Sequence, residues 1–197
     1  MHRVVLAAAM LGGVVLRLIR FAENRPLWYD EALVAINVGS RDFLALLGPL
    51  DFEQMAPGLY LWFLKGLVMA FGMHEWVLRL PSLVAGAGLP LVVWLVGRRV
   101  LSERGALTAA VLAAIAPAFV GYSAEAKPYG IDACVTGILL LCALRLNERD
   151  DRGRRLAFGV VGLVAIGLSL PSVFVLAGLG VVLLASAWRR RNGSGTA

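Results

Sequence analysis

Long uncharged stretches divide this chain. Runs free of charged residues cover 80–97, 105–124 and 156–188, and a shorter one covers 133–144. A helix needs about 20 apolar residues to cross a bilayer, so 156–188 is too long for one crossing. Pro171 lies near its middle, flanked by Ser169 and Ser172, which predicts two short helices and a tight turn. The run 133–144 grows into a span if Asp132 sits at the interface. Residues 4–16 begin a first span, completed by Arg17 and Arg20 reaching out to the headgroups. The predicted spans are then roughly 3–21, 80–97, 105–122, 130–145, 156–170 and 172–188. Residues 57–72 are apolar but short, with Lys65 in their middle. A lysine at the bilayer centre costs about 2.5–3.5 kcal/mol on insertion scales, so this stretch reads as an interfacial or re-entrant helix.

The fold class expected is therefore all-α: a polytopic transmembrane bundle of about six spans, with interfacial helices in the first outer loop. Composition agrees. Hydrophobic residues make up 59% of the 197, and the mean hydropathy is +0.78, far above a soluble domain. A net charge of +6 often points to nucleic acid. Here the arginines flank the spans, so membrane orientation explains them and no nucleic-acid partner is expected. With the N-terminus cytoplasmic, most basic residues fall inside and most acids outside. A rival topology has 57–72 crossing and the N-terminus outside. It fits the charge rule more closely, but it separates Asp30 from Glu125 and leaves Lys65 in lipid.

Arg3 precedes the first apolar segment, as in a signal peptide. No small-x-small site followed by a soluble domain appears, so an uncleaved anchor is expected. Cys134 and Cys142 share one span and cannot pair along a helix. His2 and His74 are isolated, and no metal ligand set is spelled out. The carboxylates can still bind a divalent ion, the one cofactor left open. No glycine pair has GxxxG spacing. Residues 1–191 read as one transmembrane module and 192–197 as a disordered tail.

The polar residues that remain are concentrated. Trp28-Tyr29-Asp30-Glu31 places two carboxylates just after the first span, where acids are costly and tend to be functional. On a helix they point about 100° apart, so one can face a site while the other orients it. Asp30 also suits a helix N-cap. A helix over 30–38 ending at Gly39 is expected, then a second one capped by Ser40 with Phe43, Leu44, Leu46 and Leu47 on its apolar face. Pro49 and Pro57 break the chain around Asp51, Glu53 and Gln54.

Tyr122-Ser123-Ala124-Glu125-Ala126-Lys127-Pro128-Tyr129 packs an acid, a base and two phenols between two spans. Lys127 beside a helix N-terminus makes a phosphate site, with backbone N–H groups and ammonium pointing the same way. The alternative is an ordinary interface of belt tyrosines and solvated charges. Arg79 can hold a carboxylate or phosphate, or simply anchor a helix end. Asp132 can serve the site or favour the helix dipole.

Taken in order, these motifs carry a resemblance. They are Leu27-Trp28-Tyr29-Asp30-Glu31-Ala32, Asp51-Phe52-Glu53-Gln54-Met55-Ala56-Pro57-Gly58-Leu59-Tyr60, Glu75-Trp76-Val77-Leu78-Arg79-Leu80-Pro81-Ser82 and the Tyr122–Tyr129 loop. The series resembles the N-terminal half of bacterial GT-C membrane glycosyltransferases. The nearest group is the one related to protein O-mannosyltransferases and the aminoarabinose transferase of lipid A (glycosyltransferase family 39). The resemblance implies a many-helix membrane fold and a polyprenyl-phosphate sugar donor, used on the periplasmic face of a bacterial inner membrane. It implies inverting transfer to a lipid, polysaccharide or protein acceptor. It casts Asp30 as base with Glu31 beside it. Glu125, Lys127 and Tyr129 would hold donor phosphate and acceptor, with Asp132 as the alternative acid and Arg79 as a further cation. A partly desolvated carboxylate suits proton removal from the acceptor, and a fixed cation suits a phosphate leaving group.

Family members are commonly more than twice as long, so a fragment or a chain needing a partner is also expected. Two other functions compete: a transporter of lipid-linked substrates, disfavoured by spans nearly free of ionisable residues, and a noncatalytic membrane subunit.

Overall fold

The computed structural model describes residues 2–193. It is all-helical: α1 (His2–Ala22), α2 (Tyr29–Ser40), α3 (Gly58–Phe71), α4 (Glu75–Val100), α5 (Glu103–Ile115), α6 (Pro117–Tyr122), α7 (Tyr129–Glu148), α8 (Arg152–Leu168) and α9 (Ser172–Gly193). Local chemistry sets the ends. Ser102 caps α5 by accepting from Gly105 N–H at 3.2 Å, and Asp151 caps α8 by accepting from Arg154 N–H at 3.0 Å. Pro171 separates α8 from α9 as its place in the uncharged run predicts. α9 continues through Gly193, and residues 194–197 of the expected tail lie outside the described residues.

Contacts at one end define the topology. His2 faces Glu103 at 3.3 Å, Arg99 pairs with Glu148, and Arg190 donates to the Asn147 carbonyl at 2.8 Å. This end therefore gathers the starts of α1 and α5 and the ends of α4, α7 and α9. The chain runs back and forth through α1, α4, α5–α6, α7, α8 and α9. Four of these helices are long and apolar enough to cross a membrane: Val4–Ala22, Glu75–Val100, Tyr129–Glu148 and Ser172–Arg190. The other two expected spans are built differently. α5–α6 breaks at Pro117, because the preceding Ala116 is forced out of helical geometry (φ −57°, ψ 124°). α8 is only 17 residues long.

α4 is the axis, packed against α1, α3, α5, α6 and α7. Single glycines, not a spaced pair, let neighbours approach. A Cβ on Gly86 would lie 1.9 Å from Ser123 Oγ, and one on Gly13 would lie 2.9 Å from Ala114 Cβ.

Arg17 departs from expectation. It does not reach the headgroups but is fully buried. Its guanidinium donates to the carbonyls of Gly13 (2.9 Å), Ala114 (2.8 Å) and Ala113 (3.0 Å), and to Ser123 Oγ (3.1 Å). The break at Pro117 leaves the last carbonyls of α5 without helical partners, and Arg17 supplies the missing donors. Arg20, nearer the end of α1, pairs with Glu23.

The long loop between α1 and α4 folds over the opposite end. Gln54, just before α3, and Glu75, which opens α4, both lie on this side, so α3 leaves and returns without crossing. Lys65 has protein partners: its Nζ donates to the carbonyls of Val38 (2.9 Å) and Gly39 (3.4 Å), capping α2. Ser40 does not cap a second helix. It bonds back to the Ile36 carbonyl at 2.8 Å, while Asp42 accepts from Ala45 N–H at 2.7 Å and starts a single 3₁₀ turn, Ala45–Leu47. The short stretch before Pro49 has no room for more. Beneath the loop, Val34, Val38, Leu61, Leu64, Leu78 and Leu139 form the buried core.

Candidate active site

α2 opens with Trp28 as its N-cap, so Asp30 and Glu31 occupy its second and third positions. Asp30 is therefore not the cap; the capping acceptor is Glu31, which accepts from Trp28 N–H at 3.2 Å. Two positions differing by one residue on a helix face different ways, and here they diverge completely in burial. Glu31 is 1% exposed, whereas Asp30 is half-buried.

Glu31 is the hub. Arg79 grips it with Nη2 at 2.7 Å from Oε2 and Nε at 3.3 Å from Oε1. Ala126 N–H, from the loop between α6 and α7, donates to Oε1 at 2.6 Å. Arg79 also donates to the Arg25 carbonyl at 2.7 Å, tying down the strand that leads out of α1. One turn along α4, Ser82 donates to the Lys127 carbonyl at 2.8 Å. Arg79 and Ser82 are three residues apart and share a helix face. That face fastens both loops, so Asp30–Glu31 and Glu125–Lys127 meet at one end of the bundle. The rival topology, which separates them, is excluded by the Ala126–Glu31 bond.

With Trp28, Ala126 and Arg79 on its oxygens, Glu31 has no room for a cation. No comparable bond or ion pair reaches the Asp30 carboxylate among the described residues. Its electrostatic neighbours are Lys127 and Tyr129. Lys127 is buried, with Nζ 2.9 Å from Gln54 Oε1. Burial pulls the Lys127 ammonium below the ordinary lysine range, and the charges of Asp30 and Glu31 pull it partly back. Glu125 is half-buried. Burial and repulsion by Glu31 push its carboxyl up, against the opposing pull of Arg25, Arg79 and Arg20. Tyr129 is exposed, its ring 5.3 Å from that of Tyr122. Asp132 sits deeper. It lies beside Ser169, and the Tyr60 hydroxyl near it is buried without a protein partner among the described residues. Among the described residues no three His, Cys, Asp or Glu side chains converge as a metal set.

Gln54 and Ser82 fall within the sequence motifs, but the sequence assigns neither a role. The Arg79–Ser82 spacing on one helix face was a usable signal for the second; the first depends on a loop conformation.

Beside the site runs an apolar groove of about 600 Å³ between α3, α4, α7 and the end of α8, lined by Leu59, Phe63, Leu80, Val84, Ile131 and Leu168 among others. Leu80 follows Arg79 directly, and Ile131 is the neighbour of Asp132. The groove's own lining is apolar throughout.

The model of the dolichyl-phosphate-mannose-protein mannosyltransferase family matches residues 56–195, well over half of the chain. The chain belongs to that family. Membership makes it a membrane glycosyltransferase of the GT-C type, a class that uses lipid-linked sugar donors. No curated protein and no solved structure matches the chain. The mannosyltransferase match takes in Arg79, Glu125, Lys127, Tyr129 and Asp132 but begins after the acidic pair. What ties that pair to the matched region is geometric: Glu31 is bonded to Arg79 and to Ala126.

Proposed function

We propose that this chain carries the reactive centre for transfer of a sugar from a polyprenyl-phosphate donor to an acceptor on the extracytoplasmic face, the face of a bacterial inner membrane that meets the periplasm. The observation that carries the reading is the placing of Lys127: it is buried, held by Gln54 at 2.9 Å, and lies on the loop that Ala126 N–H ties to Glu31, the neighbour of Asp30, whose carboxylate has no hydrogen-bond or ion-pair partner among the described residues. The groove suits a lipid chain, Lys127 its phosphate, and Asp30 a proton.

Each step follows from those roles. The donor's isoprenoid lies in the groove and its phosphate meets the Lys127 ammonium. The acceptor O–H or N–H approaches the anomeric carbon from the side opposite the phosphate. Its heteroatom forms the new bond as the bond from carbon to phosphate oxygen breaks. The bonding pair leaves on the phosphate, where a fixed cation stabilises it. The acceptor's proton passes to Asp30. Products are a glycoside of inverted configuration and a polyprenyl monophosphate. Glu31 does not react: its oxygens are occupied, and it holds Asp30, the α4 face and the second loop in register. The Tyr122–Tyr129 pair offers aromatic faces to a sugar ring.

The test is incubation of the purified chain with polyprenyl-phosphate mannose, glucose and aminoarabinose, with NMR of the product. A glycoside whose anomeric configuration is opposite to the donor's supports the reading. Retained configuration would rule out direct displacement assisted by Asp30.

A further inference from the structure

Lys127 and Lys65 are the two lysines of the chain. Lys127 is held by Gln54, and the way Gln54 reaches it is unusual. Asn37, fully buried on α2, staples the preceding loop: its Oδ1 accepts from Asp51 N–H at 2.8 Å and its Nδ2 donates to the Asp51 carbonyl at 3.3 Å. Arg41 adds an ion pair to Asp51 at 2.8 Å. The next two residues, Phe52 and Glu53, both adopt left-handed backbone (φ 61° and 55°). Side-chain-bearing residues resist that conformation, and two in succession persist only where the surroundings over-determine them. After this reversal the chain is extended again at Gln54, whose Oε1 meets Lys127 Nζ at 2.9 Å.

The partner chosen is informative. Glu53, one residue earlier, is exposed, and an amide takes the place a carboxylate could have filled. A neutral acceptor fixes the ammonium without cancelling its charge. We infer that Gln54 is a positioning residue that aims the Lys127 ammonium at the donor phosphate beside Asp30 while leaving its charge free for that phosphate. This rests on the sugar-phosphate reading above. The charges acting on Lys127 are Asp30 and Glu31; Gln54 adds none.

The test is NMR of the full chain in nanodiscs with ¹³Cε-lysine. Two lysine signals are expected, assigned through Lys65→Arg. Gln54→Ala should move the Lys127 titration further down, because an acceptor favouring the charged form is gone. Gln54→Glu should move it up. An unchanged Lys65 signal shows that the variants are folded. Farnesyl phosphate should raise the Lys127 titration in the wild type and bind Gln54→Glu on the order of ten-fold more weakly. A Lys127 titration identical in all three proteins overturns the positioning role. A titration that responds to Gln54 but not to farnesyl phosphate upholds the contact and overturns the phosphate reading.

Discussion

Arg79 and Glu31 form a two-pronged ion pair, 2.7 and 3.3 Å, with side chains only 4% and 1% exposed. Such a pair organises more than it stabilises, because desolvation offsets much of its attraction. Removing one partner is another matter. Arg79→Met leaves a buried carboxylate unpaired and should cost about 3–5 kcal/mol. Thermal unfolding in detergent should show a large drop in midpoint. Arg79→Lys should also lose stability, since an ammonium cannot reproduce the planar fork.

Lys127 gives a pH signature. The ammonium is present below its pKa and lost above it. Burial lowers that pKa in the folded protein, so donor binding should fail on the alkaline side at lower pH than an ordinary lysine would allow. The measurement is KM for the donor against pH. Lys127→Arg should carry its charge through the same range and remove that alkaline limb.

Arg17 should matter for folding and not for chemistry. Arg17→Leu strands the carbonyls at the α5 break. At about 1–3 kcal/mol for each buried polar group left unsatisfied, the cost is substantial. Gly86→Ala should act on the same contact, since its Cβ would collide with Ser123 Oγ. Both should lower the unfolding midpoint while leaving KM of the folded fraction unchanged.

The groove should read lipid length. Val84 is 70% exposed and lines it. Val84→Trp should raise KM for long-chain donors on the order of ten-fold, roughly the loss of two buried methylenes. Short-chain donors should respond less, and the unfolding midpoint should stay near the parent's.

Much of this architecture is legible because the signals are local. Pro171 between two serines marks the α8–α9 turn, and the uncharged runs fall mainly in helices, of which α4, α7 and α9 are long and apolar enough to cross a membrane. The acidic pair and the Glu125–Lys127 loop stand out because charge is scarce in an apolar chain. What stayed hidden depends on contacts distant in sequence. Arg17 reads as a headgroup anchor until the break at Pro117, almost a hundred residues away, supplies carbonyls for it. Lys65 marks 57–72 as an interfacial or re-entrant helix, but nothing local names its partners, the carbonyls at the end of α2. Asp30 reads as a cap because its residue type suits one; the fold gives that bond to Glu31 instead. Gln54 stands in a quoted motif, but its contact with Lys127 is hidden because its reach depends on two left-handed residues that no composition rule foretells.

The most direct test of the account is transfer of radiolabelled sugar from polyprenyl-phosphate donors, comparing this chain with its Asp30→Asn variant at equal folded amounts. The parent should transfer sugar and the variant should lose at least about 10²-fold, the scale of a missing general base, with the unfolding midpoint unchanged. Equal transfer by both proteins would contradict the account.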